Sequence, residues 1–126
     1  MAGTIVADTL QNGAGTSTSM DNAINGSAKA WVKFSGQTGT RSASYNVSSV
    51  TRGSTGQYTV NFTTAMSDTN YCVVSGASQS TAGSNWTVEP AINQAGTATG
   101  SFTISIVDYT ASSYVDPYFL HMAIFR

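Results

Sequence analysis

The chain has 126 residues, enough for one domain that buries about two-thirds of its unfolded-state surface. Apolar residues make up 40%, which supplies a core, but charged residues make up only 9%, against about 25% in ordinary soluble domains. The net charge is -1 and the five basic residues (Lys29, Lys33, Arg41, Arg52, Arg126) are scattered with no basic stripe, so nucleic-acid binding is disfavoured, while the single cysteine, Cys72, excludes an intrachain disulfide.

Ser, Thr, Asn and Gly take the polar positions instead. Short uncharged side chains suit strand surfaces and contacts between chains, because burying them strands no ion. No run approaches the roughly 20 apolar residues that cross a bilayer, so no membrane insertion is expected. The N-terminus lacks the basic and then apolar pattern of a signal peptide.

Residues 1–27 have their own texture. Thr4–Leu10 reads as one strand, and Gln11–Ser27 as a polar linker with only Met20 and Ile24 as sizeable apolar anchors. The expectation is an N-terminal attachment arm, with Ile5, Val6 and Leu10 as its docking side chains, leading into a globular domain over 28–126. Such arms suit strand donation to a neighbour's sheet edge.

From Ala28 onward period-2 alternation recurs. Ala28–Phe34 reads as a strand carrying Trp31. Tyr58, Val60 and Phe62 share one face against Thr59, Asn61 and Thr63. Asn70–Val74 is apolar on both faces, which predicts deep enclosure and a buried Cys72. Trp86 and Val88 alternate with Asn85, Thr87 and Glu89, and Phe102, Ile104 and Ile106 with Ser101, Thr103 and Ser105. The last strand puts Tyr118, Leu120, Met122 and Ile124 on one face and Phe119, His121, Ala123 and Phe125 on the other. Two apolar faces in so small a domain predict a second cover from another subunit, with Trp31, Phe119, His121, Ile124 and Phe125 as candidate subunit contacts.

Turn residues separate these runs at Ser35–Thr40, Thr51–Gly56, Ser67–Thr69, Gly76–Ser84, Pro90–Gly100 and Thr110–Pro117. No segment has convincing helical spacing and no βαβ crossover is available. Seven or eight strands at this rhythm predict an all-β fold, an antiparallel β-sandwich or jelly-roll-like domain with a short extended arm.

Catalytic chemistry finds little to stand on. His121 is the only histidine and sits in a strand pattern, and the six acids (Asp8, Asp21, Asp68, Glu89, Asp108, Asp116) are spread singly. A nucleophile, base and orienting acid are therefore not expected to converge. One Cys and one His cannot make a zinc site within a chain, and no metal or other cofactor is expected. Binding is better served by Tyr109, Tyr114 and Tyr118, which flank the longest late loop and are the candidate receptor-contact residues.

The matched order of Ala28-Lys29-Ala30-Trp31-Val32-Lys33-Phe34, Ser44-Tyr45-Asn46-Val47, Gly56-Gln57-Tyr58-Thr59-Val60-Asn61-Phe62, Ala65-Met66 and Asn70-Tyr71 resembles a module at fibre ends and in small virion proteins of tailed bacteriophages. The resemblance implies a non-enzymatic virion structural protein, assembled in the host cytoplasm, that works as a homo-oligomer, most often a trimer. It implies attachment to other virion proteins and contact with host-surface glycan, as a short self-contained fibre or receptor-binding knob. The alternative it leaves open is a capsid decoration or cement protein that stabilises the shell.

Overall fold

The computed structural model describes residues 3, 5–78, 88–109 and 112–126. Its strands are β1 (Thr9–Gln11), β2 (Ser17–Ser19), β3 (Ala28–Ser35), β4 (Arg41–Tyr45), β5 (Val47–Ser54), β6 (Gln57–Phe62), β7 (Cys72–Ala77), β8 (Val88–Ala98), β9 (Ser101–Asp108), β10 (Ser113–Tyr114) and β11 (Phe119–Phe125), with one helix, α1 (Met20–Asn25). Every strand pairing among the described residues is antiparallel.

Two sheets pack face to face. One has four strands in the order β4-β3-β11-β7. The other has five: β5-β6-β9, with β10 continuing β6's side of β9 and β8 on the opposite edge. The alternation seen in the sequence decides what lies between them. Ala30, Val32 and Phe34 of β3 and Leu120, Met122 and Ile124 of β11 meet Val47, Tyr58, Val60, Phe62, Phe102, Ile104 and Ile106 of the other sheet. Phe34 and Tyr58 touch across the gap, ring centroids 5.3 Å apart and edge-on, an arrangement favoured by the ring quadrupoles.

Three expectations change. The segment read as one strand and a polar linker holds, among its described residues, two short strands and a helix. β1 pairs with β2 through a turn in which Asn12 Oδ1 accepts from the N–H groups of Ala14 and Thr16, both at 3.0 Å. Ser19 then caps α1, its Oγ accepting from Asn22 N at 3.1 Å. A hairpin-helix unit results, and none of its residues joins the core.

The segments Thr51–Gly56 and Pro90–Gly100, expected as turns, are largely strand. β5 runs through Ser54 and β8 runs from Val88 to Ala98. Pro90 falls in an edge strand, where its missing N–H removes no ladder bond needed by a second neighbour. Lastly, Cys72 is exposed. In Asn70–Val74 only Tyr71 and Val73 turn toward the core, while Cys72 and Val74 face out, so that run is enclosed on one side alone. Trp86 lies outside the described residues.

Candidate binding surfaces

At one end of the sandwich β4 passes into β5 through a single residue, Asn46, at φ 53, a left-handed conformation that Asn tolerates better than most residues. Its side chain fixes three segments at once. Nδ2 donates to the carbonyls of Lys29 and Thr64, both at 3.1 Å, and Oδ1 accepts from Thr64 N at 2.7 Å. The β3 start, the β4–β5 corner and the segment after β6 are thereby one wall.

Beside that wall Arg126 closes on Asp68. Nε donates to Oδ1 at 2.7 Å, and Nη2 donates to Oδ2. The Arg126 guanidinium, helped by the N–H of Asn70, holds the Asp68 carboxyl down at about 2. Between these groups lies an open cleft of about 580 Å³, lined by Lys29, Tyr45, Asn46, Thr63, Thr64, Ser67 and Arg126. The Tyr45 side chain is 59% exposed above it. An aromatic ring, hydroxyls and an amide on a prearranged wall form a surface suited to hydroxyl-rich ligands, because the ring offers an apolar face at little entropic cost.

The opposite end is closed by Asp116. Its Oδ1 accepts from Gly56 N at 2.8 Å, Tyr58 Oη at 2.6 Å and Arg52 Nε at 3.1 Å. Burial disfavours its ionisation, but the hydrogen bonds from Arg52, Gly56 and Tyr58 outweigh that and hold the carboxyl below its ordinary value. Burial, followed by the bond to Asp116, pushes the Tyr58 phenol well up. Gly56, at φ +67, lets the β5–β6 turn enter this knot, since a Cβ there would lie 2.7 Å from the Ile106 carbonyl oxygen.

The three loop tyrosines sit near this second end and are all exposed, yet they do not form one patch. Tyr114 pairs with Val107 and lies by Gln57, Thr59, Asn93 and Thr103 on the five-stranded sheet. Tyr118 packs edge-on against Phe119, 4.5 Å between centroids, on the other sheet. Tyr109 ends β9.

Of the candidate subunit contacts, Trp31, Phe119, His121 and Phe125 share the outer face of the four-stranded sheet. Ile124 does not. It is fully buried, because the pleat turns it into the core, where it cannot reach another subunit. Register builds a row across that outer face, Tyr45–Trp31–Ala123–Val74, with Cys72 opposite Phe125 beside it. Lys33 stands 4.5 Å over the Phe119 ring. The arm residues Ile5 and Val6 are 85% and 93% exposed.

Sequence reasoning named Tyr45 and Asn46 within the resemblance but missed them, with Lys29, Thr63, Thr64, Ser67 and Arg126, as a site. The available signal was an Asn wedged between two strand runs, a residue type that makes corners. Among the described residues no group of three or more His, Cys, Asp and Glu side chains is placed to hold a metal ion.

No family model matches the chain, and a search of curated proteins finds no match. Among solved structures the fold is similar to part of the phiAB6 tailspike, a structure with three-repeated oligosaccharides of Acinetobacter baumannii surface polysaccharide. The TM-score is 0.58 and the identity 18%, over 93% of this chain and 22% of the tailspike chain. At that identity the likeness is one of fold, and this chain spans about a fifth of the tailspike's length.

Proposed function

We propose that the protein is a non-enzymatic component of a tailed-phage particle, a short fibre or receptor-binding knob that works as a homo-oligomer and contacts host-surface glycan at its end cleft. The observation that carries this reading is the Tyr45 ring standing open over a cleft of fixed hydroxyl and amide groups. The fold shared with a stretch of a tailspike gives the same direction. Binding without hydrolysis fits the carboxylates nearest each end, since Asp68 and Asp116 are both committed to arginines. The exposed hairpin-helix is the part that joins the protein to a neighbour.

Titrating the protein with oligosaccharides cut from host-surface polysaccharide tests this. Tyr45→Ala is expected to weaken binding about tenfold without altering the fold. Binding lost with Tyr114→Ala and kept with Tyr45→Ala moves the site to the other end of the sandwich. Release of reducing ends by the unmodified protein overturns the non-enzymatic reading. A copy number in purified particles that matches capsomers instead of tails makes it a decoration or cement protein.

A further inference from the structure

Two apolar surfaces of this chain stand open. One is the outer face of the four-stranded sheet, where Trp31, Tyr45 and Val74 are exposed in one row. The other is the hairpin-helix unit, where Ile5, Val6, Leu10 and Ile24 are all exposed. Their charges are opposite. The sheet face carries Lys33 and, at its margin, Lys29, whose Nζ donates to the Ile24 carbonyl and to Ser27 Oγ of its own chain, while the unit carries Asp8 and Asp21. None of these four makes an ion pair among the described residues, where the two salt bridges are Arg52–Asp116 and Arg126–Asp68. Within one chain the two surfaces do not cover each other, and both are left in water.

We propose that the hairpin-helix unit of one copy docks on the outer face of the four-stranded sheet of the next copy. Ile5, Val6 and Leu10 cover Trp31 and Val74, leaving the Tyr45 ring on the edge strand open over the end cleft, and Asp8 and Asp21 approach Lys33. The contact joins different surfaces of the two copies, so it is head-to-tail, and it gives a cyclic oligomer where the rotation between successive copies closes. The inference rests on the homo-oligomer reading above, and it assigns the arm to a sibling subunit, not to a different virion protein.

Cys72, exposed on this face opposite Phe125, is a ready probe. Full-length chain is labelled at Cys72 with a benzophenone maleimide and mixed with excess unlabelled chain grown in heavy nitrogen. After illumination it is cut with trypsin. The first Lys or Arg is Lys29, so the whole arm travels as one peptide, and Cys72 travels in the peptide that follows Arg52. The expected product joins the light Cys72 peptide to the heavy arm peptide. A light–light product with the arm means that the unit folds back on its own sheet, and a link to the heavy Cys72 peptide means that two sheet faces pack together. Either result overturns the proposal, as does an oligomer with no arm cross-link, which leaves the homo-oligomer reading standing. A monomer in sedimentation overturns both. Val6→Glu, at a side chain outside the single-chain core, is expected to weaken self-association about a hundredfold with an unchanged circular dichroism spectrum. Association equal to the parent's also overturns the proposal.

Discussion

The two outer faces of the sandwich differ in what they offer. Across the four-stranded sheet the central row reads Tyr45–Trp31–Ala123–Val74. Across the five-stranded sheet the corresponding row reads Thr51–Thr59–Thr103–Asn93. The inner faces of both are largely apolar, with Asp108 at the end of β9 as a buried polar residue, so the core does not explain the contrast. Exposed Thr and Asn such as Thr51 and Asn93 can stay in water at little cost, whereas an aromatic row of this size is stabilised by being covered. The two exposed aromatic rings of the Trp31 row thus stand on one side of the sandwich.

The sharpest way to test inside against outside uses neighbours on β11. Ile124 is fully buried and Phe125, the next residue, lies half-buried on the outer face. Ile124→Asp is expected to lose about 3–5 kcal/mol, enough to unfold much of the population, because an unpaired carboxylate is forced into the core. Phe125→Asp is expected to stay folded by circular dichroism and to shift sedimentation toward smaller species. Equal unfolding by both would mean that the outer face is as necessary to the single chain as the core.

The next effect lies at the ends of the sheets. Asp116→Asn removes acceptor strength from Arg52, Gly56 and Tyr58 together and is expected to lower unfolding free energy by about 2–3 kcal/mol in urea titrations. Acid should act the same way. Both Asp68 and Asp116 have carboxyls held below their ordinary value, so their contribution is complete above that value and is lost as pH falls through the folded-state one. For Asp68 the window runs from 3.8 down to about 2. Stability measured over that range should fall in the parent, and less steeply in Asp116→Asn. An unchanged slope would show that the Asp116 network does not titrate with folding.

Where alternation was strong, the sequence was legible. Tyr58-Val60-Phe62, Phe102-Ile104-Ile106 and Leu120-Met122-Ile124 each turn one face inward, and these nine side chains are nearly two-thirds of the buried core. β4 and the second half of β5 were hidden because they carry Ser, Thr, Arg and Gly with almost no apolar period. Backbone pairing to β3 and β6 holds them in the sheets whatever their side chains are. Asn70–Val74 misled for the reverse reason, since an edge strand can carry apolar residues outward when that side faces a partner surface. The cleft was the least legible part. It draws on β3, the β4–β5 corner, the segment after β6 and the last residue, which only the topology brings together.

The smallest expected effect probes the polar face itself. Thr103 sits in the middle of that row, and its Oγ1 is buried without a hydrogen-bond partner among the described residues. The irregular part of β8 covers it, with Gly96 so close that a Cβ there would lie 1.9 Å from the hydroxyl. An unmade hydrogen bond in a buried site is a loss, and Val has nearly the shape of Thr without the hydroxyl. Thr103→Val is therefore expected to raise unfolding free energy by about 0.5–1 kcal/mol, read as a higher urea midpoint at unchanged slope. Gly96→Ala should act in the opposite direction, because the added methyl meets Thr103 and must push β8 away from β9. If Thr103→Val is destabilising, the hydroxyl has a partner in solution, and the covered centre of this face is wetter than its neighbours imply. If it is stabilising, the polar face keeps a hydroxyl at a cost to the fold, which separates the composition of that face from the demands of stability.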